Sequence, residues 1–426
     1  MDTRRFSASG IHGFSDASPW TRRSFLVATP ALAASIAGCA STSSGASDRR
    51  TPRLLFTSAG KTFVIGLDGS GERPLEVHAP QQVTWQPCGT LPDGRLLLLS
   101  MEARRDGPGR PFDQYYHQTP THVWVHDVDD GSLVELATRE RIAPFQTPQL
   151  ILGGGRLLMQ VIPERPGHIV NMNLDGSDAR PFTRNDEGLP YGFSLSPDGQ
   201  RVAFHLAGPR GYEIWTSDVW GGARVRVAGE AGHLYFGPAW SPDGRWLAYQ
   251  DCLEKSDPGH DWSDVCTARA DGTGHRVATS GQAMWFAATY GPATRHGGGS
   301  NVVAWTRDGR VLFPQRLPGS RVPWRYRPDR PDTDHFNRDF QPEGAMGGTQ
   351  ACALDPTTGK TEVLGATDPV AWDFRCTPSP DGLWMAFCRA RTGESPGLWI
   401  MGSDGSRPRL LTRGVGDAGA DHPRWM

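Results

Sequence analysis

The sequence lacks an excess of charge of either sign. Its 426 residues carry 44 Lys and Arg against 46 Asp and Glu, a formal net charge of −2. Bulk electrostatics therefore provide no basis for coating a polyanion or a membrane, and nucleic acid is not an expected partner. No Cys-x-x-Cys occurs, which argues against a zinc ribbon or a thioredoxin-type redox site. The apolar run from Phe25 to Ala37 is too short to span a bilayer as a permanent helix. The sequence does contain 52 Gly, 35 Pro and 15 Trp, with 37% hydrophobic residues. So much turn-forming material beside enough apolar mass for a large core predicts a turn-dense all-β protein rather than disorder.

The N-terminal stretch reads as an address. Arg22-Arg23 precedes the short apolar run, and the run ends at Ile36-Ala37-Gly38-Cys39. The first feature resembles a twin-arginine export signal, and the second resembles a lipobox whose cysteine receives a diacylglycerol. The expectation is a signal peptide over 1–38, lipidation of Cys39, a Ser/Gly/Thr-rich tether over 39–50 and a globular body over 51–426. The protein is expected to be exported and anchored to the cell envelope on the periplasmic side. Six further cysteines remain: Cys88, Cys252, Cys266, Cys352, Cys376 and Cys388. In a compartment that permits disulfides they allow fifteen connectivities, of which local Cys252–Cys266 and Cys376–Cys388 bridges are the simplest.

The body repeats one phrase of strand, Pro-Asp-Gly turn, strand, loop, strand, Asp-Gly turn, strand. Its clearest copies are Ser196-Pro197-Asp198-Gly199, Ser241-Pro242-Asp243-Gly244 and Ser379-Pro380-Asp381-Gly382, with weaker ones at Leu91–Gly94 and Thr306–Gly309. Pro presets φ, Asp bonds back to the backbone and Gly accepts a positive φ, so each copy is a hairpin turn. A second turn series, which includes Asp68-Gly69, Asp175-Gly176 and Asp404-Gly405, brings the count to seven units. Four-stranded units repeating every roughly 40–50 residues are the pattern of propeller blades, which bury their faces only against neighbours. The prediction is an all-β, seven-bladed propeller of four-stranded blades. The first blade lacks an inner strand of its own, and Asp421-His422-Pro423-Arg424-Trp425 resembles the inner-strand start Phe236–Trp240. The C-terminal strand is therefore expected to pair with the first blade and close the ring.

These Ser-Pro-Asp-Gly units are similar to those of the TolB-like, WD-repeat-like propeller family over nearly the whole mature chain. Such a resemblance specifies fold better than activity, because one repeat serves binding scaffolds, sugar lyases and peptidase lids. Gly393-Glu394-Ser395-Pro396-Gly397 fits a nucleophile-elbow pattern, but it lies between two β-runs with no helix after it and reads as a hairpin loop. No α/β-hydrolase domain is expected after the ring.

Long segments fall on the face formed by second-to-third-strand and blade-to-blade connections, which suits a site around the central funnel. The segment from Asp251 to Asp264 gathers carboxylates around one histidine. His233, Asp257, His260 and Asp261 are the candidate ligands there for a divalent metal, manganese or calcium. Their spacing matches no defined calcium loop, and a solvated acidic loop is the alternative. The insertion around Trp324, His335 and Arg338 interleaves arginines with aromatics, which suits either an anionic sugar or a loop pinned by Arg–Asp pairs. Inner-strand starts at Trp285, Asp373, Arg375 and His422 should line the funnel.

The body also resembles the oligogalacturonate-lyase type of propeller, which implies an extracytoplasmic lyase acting on uronic-acid oligosaccharides. Uronate β-elimination needs a base for the proton beside the carboxylate and a cation to stabilise the enolate-like intermediate. On that resemblance His335 and His422 are candidate bases and Arg375 a candidate catalytic cation. Trp285, Trp324, Arg338 and Asp373 are candidate substrate contacts. That family holds its metal mostly through clustered histidines, and no His-x-His occurs here. The alternative is a non-catalytic TolB-like module that binds an envelope protein or a glycan.

Overall fold

The computed structural model describes residues 52–77, 83–91, 93–102, 120–143, 147–162, 167–184, 186–208, 211–252, 262–284, 286–288, 298–300, 302–321, 324–326, 338–340 and 344–426. These residues form antiparallel meanders. Four separate four-stranded sheets occur, and a thirteen-stranded sheet contains three further four-stranded sets. In sequence order of their second strands, unit 1 comprises Asp421–Trp425, Arg53–Ser58, Lys61–Gly66 and Arg73–Pro74, and unit 2 runs from Val83–Thr90 to Leu133–Leu136. Units 3 and 4 begin at Gln149–Ile151 and Leu189–Leu195. Units 5, 6 and 7 begin at Tyr235–Trp240, Ala304–Trp305 and Ala371–Pro378.

The turn chemistry explains why the strands reverse where they do. In unit 4 Ser196 Oγ donates to Asp198 Oδ1 at 2.6 Å and accepts from the Arg201 amide at 2.9 Å. The Gly199 amide closes the turn on the Ser196 carbonyl, and Gly199 takes a φ of 70°. Ser241 and Ser379 repeat both hydroxyl bonds in units 5 and 7, and Thr306 repeats them in unit 6. The Ser241 hydroxyl and the Arg245 amide outweigh slight burial and hold the Asp243 carboxyl at about 2, so this turn keeps its acceptor charged across the physiological range.

Each strand pair buries alternate residues between adjacent units, and a tryptophan near the end of the first strand stitches neighbours together. Trp240 Nε1 donates to the Ser194 carbonyl, Trp305 Nε1 to the Ala239 carbonyl and Trp425 Nε1 to the Thr377 carbonyl. The last of these joins unit 1 to unit 7. Trp425 is buried with Phe56, Ile65, Ala386 and Ile400 in one cluster. The strand that carries it pairs antiparallel with Arg53–Ser58, with Leu54 opposite Trp425 and Leu55 opposite Arg424.

The six body cysteines are all buried free thiols, which corrects the expectation of local bridges. Strand register gives the reason. Cys266 lies opposite Tyr249, three residues before Cys252, and Cys388 lies opposite Phe374 rather than Cys376. Burial pushes the Cys88 and Cys352 thiols up to about 12, so they are unreactive packing groups.

Truncating Trp425 to Ala should therefore cost about 3 kcal/mol or more, the usual scale for a buried aromatic, because both a large apolar contact and the bond to unit 7 are lost. Urea unfolding measures this as a lower midpoint at unchanged slope. An unchanged midpoint would show that the C-terminal strand does not hold the first unit in place.

Candidate functional site

The first strands of units 1, 5 and 7 each carry a bulge in which two residues face one. His422 and Pro423 oppose Phe56, Gly237 and Pro238 oppose Tyr249, and Arg375 and Cys376 oppose Phe387. In unit 4 Gly192 is the inserted residue. The leading residue of every one of these bulges has a positive φ: 34° at Gly192, 63° at Gly237, 53° at Arg375 and 55° at His422. Glycine suits that conformation, whereas a residue with a Cβ pays roughly 1–2 kcal/mol for it. Units 4 and 5 follow the rule, but units 7 and 1 place an arginine and a histidine there. Bulges re-aim side chains, and strain of this kind is found where the new direction is used.

The two re-aimed side chains meet at Asp421. Arg375 Nε lies 2.7 Å from Asp421 Oδ1. That same oxygen accepts the His422 amide at 2.7 Å and the Cys388 thiol at 3.4 Å. His422 Nδ1 faces Thr57 Oγ1 at 3.4 Å and Asp421 Oδ2 at 3.5 Å. Its Nε2 has no partner among the described residues, and 39% of the side chain is accessible. Burial alone would raise the Asp421 carboxyl, but Arg375, His422 and the His422 amide overcome it and hold the group at about 2. Confinement within the protein, then repulsion from Arg375, lowers the His422 imidazole from 6.5 to about 4, against the pull of Asp421. The centre is a fixed carboxylate, a fixed guanidinium and an imidazole that is neutral at pH 7 with one nitrogen open.

Asp373, expected to touch substrate, is buried two residues before Arg375. Both of its oxygens accept from Arg389, at 2.6 and 2.8 Å, and its carbonyl accepts from Thr349 Oγ1. This fork occupies the carboxylate and braces the strand that carries Arg375. His233, expected to ligate a metal, holds Asp251 Oδ2 at 2.5 Å through Nδ1 and stacks on Tyr235 with centroids 5.3 Å apart. Asp257, His260, Asp261, Trp285 and His335 lie outside the described residues, as does Cys39. Trp324 and Arg338 belong to two short strands in which Trp324 pairs with Phe340 and Tyr326 with Arg338. Their side chains are outside the described set. Among the described residues no three His, Cys, Asp or Glu side chains gather to hold a metal, and three of the four ligands expected for a divalent ion lie outside them. A cavity of about 290 Å³ opens on the opposite, turn-bearing side between units 6 and 7, lined by Arg307, Asp308, Gly382 and Trp384. It borders none of the predicted site residues.

Reading the residues one at a time missed the Arg375–Asp421 pair. A signal for it exists in the sequence, since aligning the inner-strand starts puts Arg375 and His422 in the column that Gly237 occupies.

Solved structures match this architecture. A Mycobacterium tuberculosis puromycin-hydrolysing peptidase aligns with a TM-score of 0.51 at 16% identity, over 91% of this chain and 56% of its own. An oligogalacturonate lyase in complex with manganese aligns at 0.50 and 15%, over 84% and 83% of the two chains. The fold is a β-propeller. A TolB protein of Agrobacterium tumefaciens aligns at 0.42 and 14% identity, over 88% of this chain and 99% of its own. The propeller spans about half the length of the peptidase it resembles. No protein-family model matches the sequence, and no curated protein matches it. Among the described residues no helix is long and apolar enough to cross a membrane.

The titration of this centre has a signed consequence for stability. Between about pH 6.5 and about pH 4 the unfolded chain protonates His422 while the propeller does not, so stability present above that window is lost as pH falls through it. Asp421, held at about 2, adds a further loss below about pH 4. Urea midpoints for His422→Gln should fall less than those of the parent between pH 7 and pH 4.5; parallel curves would overturn the assignment.

Proposed function

We propose that this protein is an exported, lipid-anchored propeller that cleaves uronic-acid oligosaccharides by β-elimination at the His422–Arg375 centre. The observation that supports this most is the pair of strained bulges that turn a neutral imidazole and a guanidinium onto one carboxylate, where sibling blades carry glycine. In this reading His422 Nε2 removes the proton on the carbon beside the substrate carboxylate. The freed electron pair forms the carbon–carbon double bond as the glycosidic C–O bond breaks, and the proton ends on the leaving oxygen, so no water is consumed. Arg375, fixed by Asp421, stabilises the charge that grows on the carboxylate. A bound carboxylate also cancels part of the positive field that keeps the imidazole unprotonated, so His422 gains proton affinity only when substrate is present.

The resemblance to a manganese-bound lyase supports the fold and brings no metal to this centre, and no step is assigned to one. His335 remains a proposed alternative base, and Trp285, Trp324 and Arg338 remain proposed substrate contacts from the elaborated face. Residues 1–38 are the proposed export signal and 39–50 the tether.

Two measurements test the reading. Unsaturated products from oligogalacturonides should raise the ultraviolet absorbance, and His422→Ala should lower kcat by about 10²–10⁴-fold, the usual contribution of a general base. Activity abolished by chelator and restored by manganese would return the divalent ion to the mechanism. A protein that turns over no uronide and instead binds an envelope protein or glycan would favour the scaffold alternative. For the anchor, palmitate labelling of the expressed full chain should disappear in Cys39→Ala, and labelling that persists would remove Cys39 as the lipid site.

A further inference from the structure

Arg424 lies two residues beyond His422 on the C-terminal strand. Pro423 and Trp425 beside it are buried, while His422 and Arg424 stay partly accessible, so the strand turns its two basic side chains away from the apolar core. The backbone at this point is clamped on both sides. The Trp425 carbonyl accepts from Thr90 Oγ1 of unit 2 at 3.1 Å, and Trp425 Nε1 donates to Thr377 of unit 7 at 3.0 Å. Arg424 thereby lies where the first strands of units 7, 1 and 2 come together. It acts electrostatically on Cys88 of unit 2 and on His422 of its own strand, and Arg375 of unit 7 acts on it.

Its own charge is not matched. Among the described residues the Arg424 guanidinium has no hydrogen bond and no ion pair, and none of its nitrogens is sealed from solvent without a partner. Arg375 has Asp421, and Asp373 is bound by both oxygens to Arg389. Arg424 thus stands in a confined place beside a neutral histidine, with no protein counter-ion of its own among the described residues. Burial, then repulsion from Arg375, lowers the proton affinity of Arg424. A confined, water-contacting guanidinium with no protein counter-ion gains most from an exogenous oxyanion, which it can hold by a two-pronged bond.

We propose that Arg424 is an oxyanion seat at the centre of the propeller, with the Asp421-oriented Arg375 as its second cation, and that the anion it holds is a sugar carboxylate. The choice of sugar carboxylate rests on the lyase reading, whereas the seat itself does not. Because Asp421, His422 and Arg424 all ride on the strand that completes unit 1, the seat exists only when that strand is docked.

Isothermal calorimetry on the full chain tests this with galacturonate, galactose and inorganic phosphate at low and high salt. The parent should prefer galacturonate to galactose by about tenfold or more, the scale of one charged hydrogen-bonded contact. That preference should shrink at high salt, be lost in Arg424→Gln and survive in part in Arg424→Lys. Equal binding of both sugars by the parent at either salt would overturn the proposal, and this arm needs no variant to fold. Unchanged galacturonate preference in a folded Arg424→Gln would also overturn it, and continued uronide cleavage by that variant would leave the lyase reading standing. Phosphate bound in preference to galacturonate, and lost in Arg424→Gln, would uphold the seat and sink the lyase reading.

Discussion

The docking of the C-terminal strand is the constraint on which the rest depends. A four-stranded meander cannot bury its faces alone, and unit 1 has only three strands from its own stretch of chain until Asp421–Trp425 pairs with Arg53–Ser58. Trp425 then occupies the space between units 1 and 7 and bonds to the Thr377 carbonyl, repeating what Trp240 and Trp305 do elsewhere. Contacts between the two ends of the chain are costly in loop entropy. A large buried aromatic with a satisfied N–H is the kind of group that can offset that cost.

The same strand supplies the chemistry. Three of its five residues carry charge or titrate, and a bulge gives it room to present them without surrendering the pairing of Leu54 with Trp425. Bulge and site are one device: the extra residue turns His422 outward, and the matching bulge in unit 7 turns Arg375 to meet Asp421. Carboxylates expected to serve a site are already committed. Asp373 braces the Arg375 strand through Arg389, and in unit 5 Asp251 holds His233. The six body cysteines add buried, unpaired thiols to the packing between strands.

Much of the architecture was legible in the chain. Ser-Pro-Asp-Gly turns specify hairpins by local bonding among four or five consecutive residues, so Ser196, Ser241 and Ser379 announce their geometry without tertiary help. The likeness of Asp421–Trp425 to Phe236–Trp240 pointed to the partner of the first strand. His422 and Arg375 were identifiable as inner-strand residues, but their meeting was not, because Asp421 and Arg375 stand 46 residues apart and come together through two bulges whose positive φ no local propensity demands. The disulfide expectation failed for a related reason: closeness along the chain says little once register sets which residues face each other.

By itself the sequence determined the class of fold, the repeat and the positions of the turns, which follow from short-range backbone chemistry, and it marked the segment that completes the first blade by its likeness to another inner strand. The tertiary structure alone decided which polar groups are taken and which are free. Asp373 and Arg375 are two residues apart and chemically alike in promise, yet one is consumed by Arg389 and the other is held beside an open imidazole. That difference is set by which neighbouring strand each side chain meets, a property of blade packing that no window of sequence contains.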